Sequence, residues 1–399
     1  MELLGKSKEE LRAFCVALGE PAYRGGQIYH ALYAERRFDF ARMTNLPAAL
    51  RERLAQEARI TLPEVKRRFV SSDRSVRYLL GLDGEEQKEF NTEDAPTLSR
   101  QAPNAEDTEK RGESAREKAN PLQMPASVEA VFMPSEGRQT ICISTQAGCA
   151  VDCHFCLTAQ LGLIRNLTAG EVLAQVLVAL EEQKGELPAP FEAHGKQTNV
   201  VLMGQGEPLL NFEPVMAALQ ILLDPEGMGI SPKHVTLSTS GIVPGIERLG
   251  REKVRPKLAI SLNASNDEQR DALMPINKKY PLKVLMEACK NYSLRPWEHL
   301  TFEYVMLGGM NDAEEDARRV VRLLAPLKRM KVNLIPWNPG ELPYRESSPE
   351  RIEEFRRILH DKGVPAFVRY SRGRDVMAAC GQLALLDIYG QSGLVSIAP

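Results

Sequence analysis

The sequence predicts an α/β protein in which a parallel sheet closes in part into a barrel, preceded by a small N-terminal helical domain and a flexible acidic insertion. Three patterns support this fold class. From Gln139 onward, short β-rich runs alternate with amphipathic helices, which is typical of a parallel sheet. Residues 7–59 repeat apolar side chains at helical spacing. Residues 91–121 carry a single large apolar side chain, Leu98.

The composition is that of a folded protein large enough for two to three domains. The chain has 399 residues, of which 43% are hydrophobic and 26% charged, and a domain takes roughly 150 residues. No stretch approaches the roughly 18 consecutive apolar residues of a membrane span, and the charged start lacks a secretory apolar core. We therefore expect a cytoplasmic protein with no membrane partner.

The charge is close to balanced overall but uneven along the chain. The net charge of −2 by itself argues against a nucleic-acid partner. However, residues 83–118 hold 11 acidic and 6 basic side chains, whereas residues 1–70 hold 13 basic and 9 acidic ones. A polyanionic partner therefore stays open.

The first third of the chain is predicted to contain two units. Residues 1–65 are predicted to be helical and resemble an RNA-binding domain in charge, although their arginines could equally form a solvated face. Residues 66–134 are predicted to be linker strands at 76–82 and 128–133, on either side of an insertion at 84–124. The insertion cannot bury enough apolar surface to offset its ordering entropy, so we expect it to be disordered.

Residues 135–399 are predicted to form the barrel. The β-rich runs lie at 140–145, 199–203, 234–239, 257–262, 300–307, 332–335 and 366–370, and the helices lie at 169–184, 212–223, 282–291, 313–327, 349–362 and 381–389. Sites in such folds lie at the carboxyl ends of the strands. We therefore expect the functional residues in the segments that follow these runs.

Four of the seven cysteines are crowded between residues 142 and 156, which suits metal or redox chemistry better than a set of disulfides. The segment Cys149-Ala-Val-Asp-Cys153-His-Phe-Cys156 has C-x3-C-x2-C spacing and follows the first barrel strand. Three thiolates on one loop can hold three irons of a 4Fe-4S cluster and leave the fourth iron open to a small molecule.

Structural zinc is the alternative interpretation, with Cys142 or His154 as the fourth ligand. Cys142 lies in the body of a predicted strand, however, and zinc sites usually show two C-x2-C pairs, of which only one is present here. The spacing therefore favours the iron–sulfur cluster over zinc.

The spacing resembles the signature of the radical S-adenosylmethionine (SAM) enzymes. Met203-Gly-Gln-Gly-Glu-Pro208, after the second barrel strand, resembles the motif that binds the SAM amino group in that superfamily. A glycine turn lets backbone carbonyls approach a ligand, and a carboxylate such as Glu207 pairs with an ammonium group. The resemblance implies a partial (β/α) radical-SAM barrel.

Further stretches are similar to the RlmN-type methyltransferases, which act on carbon 2 of an adenine in ribosomal RNA and in some transfer RNAs. The similarity covers nearly the whole chain and rests on Gly19-Glu-Pro-Ala-Tyr-Arg24, Met43-Thr-Asn-Leu46, Val128-Glu-Ala-Val-Phe-Met-Pro134, Thr236-Leu-Ser-Thr-Ser-Gly241, Ile260-Ser-Leu-Asn263, Ile335-Pro-Trp-Asn338 and Asp375-Val-Met-Ala-Ala-Cys-Gly-Gln-Leu383.

The resemblance implies three catalytic residues and two SAM molecules per turnover. Cys380 would accept a methyl group from the first SAM and become S-methylcysteine. The cluster would reductively cleave the second SAM, and the resulting radical would take hydrogen from that methyl group, whose carbon would add to the base as a protein–RNA crosslink. Glu129 would remove the carbon-2 proton, and Cys142 would form a transient disulfide with Cys380 that releases the product.

The resemblance also implies a set of SAM contacts at the strand ends, which are Gly206, Glu207, Ser238, Ser261, Leu262, Asn263 and Asn338. Asn263 departs from the family, in which histidine is common at this position. The metal ligands would be Cys149, Cys153 and Cys156.

Several other candidates are expected to be structural. Cys15 and Cys289 match no motif and are expected to be buried thiols, and Trp337 is expected to be a core residue. The arginines just before Cys380 could hold RNA phosphates or form a solvated cluster; these are Arg369, Arg372 and Arg374.

The implied partners are ribosomal RNA, transfer RNA and an electron donor such as flavodoxin with its reductase, and the chain is expected to be a monomer. Two rival functions are considered. The related antibiotic-resistance methyltransferases share the cluster and the cysteines but methylate carbon 8 of the same adenine. A non-catalytic RNA-binding protein with structural zinc is the rival from another class.

Overall fold

The computed structural model describes residues 1–82, 126–184, 197–340 and 342–383. The predicted insertion at 84–124 and most of the helix predicted at 381–389 lie outside these residues. Among the helices of the described part, none combines the length and the apolar character that a membrane crossing needs.

Ten strands of the described residues form one sheet in the order β1-β2-β3-β4-β7-β8-β9-β10-β11-β12. Neighbours from β4 to β12 are parallel, whereas β1 to β4 pair antiparallel, so the predicted parallel α/β sheet is confirmed. The bounds are β1 Glu64–Val70, β2 Val76–Gly81, β3 Ser127–Ser135, β4 Arg138–Ile143, β7 Gln197–Leu202, β8 Val235–Thr239, β9 Lys257–Ser261, β10 Leu300–Met306, β11 Met330–Pro336 and β12 Ala366–Val368.

A separate two-stranded hairpin follows β4. Its strands are β5 Gln146–Gly148 and β6 Leu163–Asn166. Gly148 has φ +75°, and a Cβ at this position would overlap the carbonyl oxygen of Gly162, the residue just before the facing strand β6. Glycine is therefore required for the two strands to approach, and the segment between them is held as a closed loop.

The helices fall into two groups: α1 to α3 form the N-terminal unit, and the later helices connect the strands of the sheet. Their bounds are α1 Lys8–Ala17, α2 Tyr23–Tyr29, α3 Ala48–Glu57, α4 Leu157–Gln160, α5 Ala169–Glu182, α6 Phe212–Leu223, α7 Val243–Arg251, α8 Asp267–Leu273, α9 Leu282–Asn291, α10 Glu314–Leu324 and α11 Pro349–Asp361. The start of α5 is fixed by a capping box, in which Thr168 accepts from the backbone of Glu171 and the Glu171 carboxylate accepts from the backbone of Thr168.

The N-terminal helices form a small bundle that contacts the barrel. A Cβ at Gly25 of α2 would overlap the backbone of Leu11 and Arg12 in α1, so glycine allows these helices to pack at short distance. The Tyr29 hydroxyl donates to the Asp224 carboxylate beyond the end of α6 at 2.8 Å. The domain boundaries at residues 65 and 134 stay a prediction.

The strand register places the four predicted site residues that lie on strands, Glu129, Cys142, Ser238 and Ser261, on one face of the sheet. Alternate residues of a strand face the same side, and cross-strand partners share that side. One row of partners runs through Arg77, Val131 and Cys142, and a second row runs through Ser261, Glu303, Asn333 and Phe367. The first row lies at the antiparallel end of the sheet and the second at the parallel end.

We predict that the barrel helices depend on their buried faces for stability. Leu285 of α9 is fully buried, whereas its neighbour Val284 is 45% exposed. Leu285→Ala is expected to lower the free energy of unfolding by about 2–5 kcal/mol because it removes packed methyl groups and leaves a cavity. Val284→Ala, the matched control, is expected to change it by less than about 0.5 kcal/mol. Urea titration of both variants tests this, and equal midpoints would contradict it.

Candidate active site

The three motif cysteines lie on one loop between β5 and α4, after the first parallel strand. The Cys149 amide donates to the Gly162 carbonyl at 2.9 Å, and the His154 amide donates to a carbonyl at the end of α8 at 3.0 Å. The Leu157 amide donates to the Gly381 carbonyl at 2.8 Å. The β5–β6 hairpin, α8 and the turn that follows Cys380 therefore hold this loop, called the cluster loop below (residues 149–156).

The thiols of the cluster loop influence one another electrostatically. Burial raises the pKa of Cys149 to about 12 and that of Cys153 well above its usual value. Negative charge on Cys149 and on Cys156 raises the pKa of Cys153 further. A metal centre relieves this repulsion because it binds the deprotonated thiols. Three thiolate donors on one loop fit a 4Fe-4S cluster that leaves one iron for another ligand.

Neither of the side chains considered as a fourth zinc ligand is grouped with the loop thiols. His154 is exposed, and its Nδ1 lies 2.7 Å from the carbonyl oxygen of Ala272. Cys142 packs against an apolar cluster that includes Val131 and Leu383. Within the described ranges, no three Cys, His, Asp or Glu side chains are arranged to hold one metal ion.

The glycine turn after β7 is shaped by close contact with the β5 strand. Gly206 has φ +93°, and a Cβ there would lie 2.7 Å from the Gln146 amide nitrogen. The side-chain oxygen of Gln146 accepts from the Glu207 amide at 2.9 Å. Only glycine fits this position, because a side chain there would overlap Gln146, and the contact of Gly206 with SAM stays a prediction.

The Glu207 carboxylate is buried and accepts hydrogen bonds from protein groups. Its Oε2 accepts from the Ser240 amide at 2.7 Å and from the Ser240 hydroxyl at 2.8 Å, and its Oε1 accepts from the Leu209 amide at 3.0 Å. Burial raises the pKa of Glu207, although these donors act in the opposite direction. Glu207 thus joins the carboxyl ends of β7 and β8, and its contact with SAM stays a prediction.

Ser238 and Ser261 face each other across β8 and β9, with their hydroxyl oxygens 3.5 Å apart. The fully buried Leu262 follows β9, and its amide donates to the carbonyl oxygen of Glu303 on β10 at 2.9 Å. Two hydroxyls and a fixed backbone therefore lie at the carboxyl ends of adjacent strands. Their contacts with SAM stay predictions.

Asn263 adopts a left-handed backbone conformation, with φ +56°, which asparagine tolerates better than most residues. Its Oδ1 accepts from the Val305 amide at 2.9 Å, and its Nδ2 lies 3.4 Å from the Met274 sulfur. Its carbonyl oxygen accepts from the Asn311 side chain at 2.8 Å. The side-chain amide thus supports the strand ends, and the contact of Asn263 with SAM stays a prediction.

The turn that carries Cys380 reaches both Cys142 and the cluster loop. Asn338 Nδ2 donates to the Cys380 carbonyl at 3.1 Å and to the Ser371 hydroxyl at 2.9 Å. The Cys380 side chain is accessible to solvent but surrounded by protein, and this desolvation raises its pKa to about 12. Negative charge on Cys142 and then on Cys156 raises it further. Cys142 packs against Ala378 and Leu383, which lie on either side of Cys380 in the sequence, so the two predicted redox cysteines lie in the same part of the molecule.

Glu129 is fully buried on β3. Its Oε1 accepts from Nη1 of Arg77 in a buried ion pair. Gln205 of the glycine turn donates from Nε2 to Oε2 of Glu129 at 3.4 Å, and its own Oε1 accepts from the Glu129 amide at 3.3 Å. The Ser144 hydroxyl donates to the Glu129 carbonyl at 2.7 Å. The carboxylate is thus tied to both the glycine turn and β2.

Two family models match the chain. Residues 143–321 match the radical SAM superfamily, and residues 1–60 match the ribosomal RNA large subunit methyltransferase N-terminal domain. The first match spans the cluster loop and the strands that carry the glycine turn and the serine pair.

Curated relatives match over almost their full length. A probable dual-specificity RNA methyltransferase RlmN of Koribacter versatilis (strain Ellin345) is 45% identical over 373 residues, which are 93% of this chain and 98% of that protein. The dual-specificity RNA methyltransferase RlmN of Anaeromyxobacter dehalogenans (strain 2CP-C) is 41% identical over 389 residues, which are 96% of this chain and 91% of that protein. The chain belongs to the RlmN family.

A solved structure agrees with this RlmN-family assignment. A radical SAM methyltransferase from Sphaerobacter thermophilus superposes with a TM-score of 0.79 and 38% sequence identity, over 96% of this chain and 99% of that one. The predicted radical-SAM fold, the methyltransferase class, the 4Fe-4S and SAM cofactors and an RNA substrate are thereby confirmed at the level of the family.

Sequence reasoning missed several polar residues of this RlmN-family site. Arg77 and Gln205 contact Glu129, and Glu303 is a buried carboxylate on β10 whose Oε1 accepts from Asn333 Nδ2 at 3.0 Å. Burial raises the pKa of Glu303. The sequence does contain a signal for Arg77, which is the one charged residue in the apolar run 76–82. A cation in a buried strand needs an anionic or hydrogen-bonding partner, so such a partner could have been predicted for Arg77.

The residues that were expected to be structural, Cys15, Cys289 and Trp337, lie in the protein interior. Cys15 and Cys289 are buried, and Trp337 is 6% exposed with its ring edge toward Tyr344 at a centroid distance of 6.0 Å. The arginines before Cys380 have protein partners: Arg369 donates to Asn333, Arg372 to the carbonyl of Pro134, and Arg374 to Glu346. Contact of these arginines with RNA phosphates stays a prediction.

We predict that the cluster loop binds iron through its cysteines. After anaerobic reconstitution with iron and sulfide, the wild-type chain is expected to show broad visible absorbance and about four irons per chain. Cys153→Ala is expected to lose most of both because one ligand is removed, whereas Cys15→Ala, a buried thiol outside the site, is expected to retain them. Metal analysis with absorbance tests this. A tightly held zinc in the wild type, or unchanged iron in Cys153→Ala, would contradict the prediction.

Proposed function

We propose that this chain methylates carbon 2 of an adenine in large-subunit ribosomal RNA and in certain transfer RNAs, through S-methylation of Cys380. The observation that supports it most directly is the position of the Cys380 turn, which packs against Cys142 through Ala378 and Leu383 and binds the end of the cluster loop through the hydrogen bond from Leu157 to Gly381. Two thiols beside a cluster loop permit a methyl group to be carried on one sulfur and released by disulfide formation with the other.

The chemistry of the target explains why such a carrier is needed. Carbon 2 of adenine lies between two ring nitrogens and is electron-poor, so it does not attack a methyl sulfonium as a nucleophile. A carbon radical can add to it. The protein must therefore supply a methyl carrier, a group that removes the ring proton and a way to detach the product.

Cys380 is suited to the carrier role by its position on a short, braced turn. Gln382 Nε2 donates to the Pro339 carbonyl at 2.8 Å, and Asn338 holds the Cys380 carbonyl. Once held by Cys149, Cys153 and Cys156, the 4Fe-4S cluster would supply the electron that cleaves SAM to a radical. Ser238, Ser261 and the residues after β9 would orient SAM by hydrogen bonds at the strand ends.

Glu129 and Cys142 would complete the reaction. The Glu129 carboxylate is held on the same sheet face as Cys142, which supports its role as the base that takes the carbon-2 proton from the RNA adduct. The adduct would lose one electron together with this proton, and the oxidised cluster could take that electron up. The Cys142 sulfur would then bond to the Cys380 sulfur as the bond from Cys380 to the methylene carbon breaks, the Cys142 thiol proton would complete the methyl group, and external thiols would reduce the disulfide.

We further propose that a flavodoxin with its reductase donates the electron, that the chain is a monomer and that it is located in the cytoplasm. All seven cysteines are free thiols in the structure, which is consistent with a reducing compartment.

We predict that the labelled methyl group of SAM appears on carbon 2 of adenine. Purified ribosomal and transfer RNA from cells without the enzyme would be incubated with the reduced, reconstituted protein, and the nucleosides would be mapped by mass spectrometry. The expected product is 2-methyladenosine in both RNAs. Methylation at carbon 8 alone would support the rival reaction instead.

We also predict that Cys380→Ala abolishes methyl transfer to RNA while the protein still cleaves SAM. The variant keeps the cluster loop but lacks the sulfur that carries the methyl group, so 5′-deoxyadenosine is expected without methylated RNA. Chromatography of both products measures this. Cys289→Ala, which removes a buried thiol elsewhere, serves as the control. Methylation of RNA by Cys380→Ala at the wild-type rate would rule out the covalent carrier.

A further inference from the structure

One buried arginine joins the proposed base to the segment that precedes Cys380. Arg77 lies on β2 and is 6% exposed. Its Nη1 donates to Oε1 of Glu129 on β3, and its Nε donates to the carbonyl oxygen of Val376 at 2.8 Å. Val376 is four residues before Cys380, although it is 299 residues from Arg77 along the chain. A single guanidinium thus contacts two elements that carry different catalytic residues.

The surroundings of Arg77 fix its orientation. Its guanidinium carbon lies 4.0 Å from the centroid of the Phe69 ring on β1. Stacking on a ring holds the guanidinium plane, and the planar group then directs its Nη and Nε donors in set directions. Its two contacts with Glu129 and Val376 are therefore geometrically linked rather than independent.

The turn before β2 also holds the segment that precedes Cys380. The Asp375 carboxylate accepts from the Ser71 hydroxyl at 2.5 Å and from the Ser72 amide at 2.9 Å. The Gly373 amide donates to the Asp73 carboxylate at 3.1 Å. Residues 71–77 thus dock residues 373–376, and Arg77 is the member of this contact that also reaches Glu129.

We propose that Arg77 is a positioning residue that fixes the distance between the Glu129 carboxylate and the sulfur of Cys380. The inference rests on the proposed function, since it concerns the stage at which Cys380 is joined to the adenine and Glu129 must reach the carbon-2 proton. At that stage the methylene carbon on the Cys380 sulfur is bonded to carbon 2, and Glu129 removes the proton from carbon 2. A misplacement of 1 Å costs roughly 10²-fold in rate. The contact that Arg77 makes with both elements therefore determines how fast the carbon-2 proton is removed from the adduct.

The inference predicts a separation between two partial reactions. Methyl transfer from SAM to Cys380 does not use Glu129, so it is expected to continue when Arg77 is changed. Proton removal from the adduct does use Glu129, so the protein–RNA crosslink is expected to accumulate. A merely structural role of Arg77 would lower both reactions together.

The experiment uses the reconstituted full-length protein with Arg77→Lys and Arg77→Met. Lysine keeps a positive charge beside Glu129, but all its donors are on a single nitrogen atom. It therefore cannot reproduce two hydrogen bonds that start from different nitrogen atoms, Nη1 to Glu129 and Nε to Val376. Mass spectrometry of the Cys380 peptide measures its methylation without reductant, and denaturing gels with labelled RNA measure the crosslink under reduction. Both variants are expected to methylate Cys380 within about twofold of wild type, to release methylated RNA roughly 10²-fold more slowly and to accumulate crosslink.

Arg255→Lys is the matched control. Arg255 is also buried, pairs with the fully buried Glu298, donates to a backbone carbonyl and stacks on Tyr292, but it lies before the amino end of β9, away from Cys380. Its replacement is expected to lower the stability of the fold to a similar degree while leaving the contacts of Glu129 unchanged. It is expected to leave the ratio of crosslink to released product at the wild-type value.

The outcomes separate the inference from the proposed function. If the wild type neither methylates Cys380 nor modifies RNA, the proposed function is wrong. If the wild type does both and Arg77→Lys matches it in product release and crosslink, the positioning role is wrong. A parallel loss of Cys380 methylation and product release in Arg77→Lys, with the cluster retained, would also overturn the role. Arg77→Lys decides the matter if Arg77→Met does not hold a cluster.

Discussion

The alternation of side chains along a β-strand is the constraint that organises this site. Because cross-strand partners share a face, a continuous sheet can bring residues that are far apart in sequence to the same side. Cys142, Ser238, Ser261 and Glu303 lie on strands of one sheet, and Arg77 with Glu129 extend the same face onto the antiparallel strands. A shift of any strand by one residue would turn its functional side chain away from the others.

Buried charge is the second constraint on the site. Glu129, Glu207 and Glu303 are all buried, and the hydrogen bonds of each are satisfied in a different way. Glu129 has an arginine, Glu207 has amide and hydroxyl donors, and Glu303 has a side-chain amide. A buried carboxylate without such partners is costly. These partners also join neighbouring strands, so the polar groups of the site hold the strand ends together.

The sequence allowed the fold class and the local motifs to be predicted because their signals are local. The cluster cysteines lie within eight residues, the glycine turn within six, and the alternation of strands and helices repeats along the barrel. Strand β1 was missed because its residues, Glu64–Val70, are largely polar and lie at the sheet edge. Helix α7 was missed because it has only nine residues and carries Pro244 and Gly245 in its first turn.

The polar contacts around Glu129 could not be predicted, since they join residues 52, 76 and 299 positions apart. The same sheet has a consequence for engineering. Gly81 pairs with Ser127 at the adjoining ends of β2 and β3, so the chain leaves and re-enters the sheet at one point. Closing a longer loop there costs only about 0.6 kcal/mol for each doubling of its length. This junction is therefore a natural place to graft a reporter or to splice in a tight turn, with the register of the flanking strands preserved.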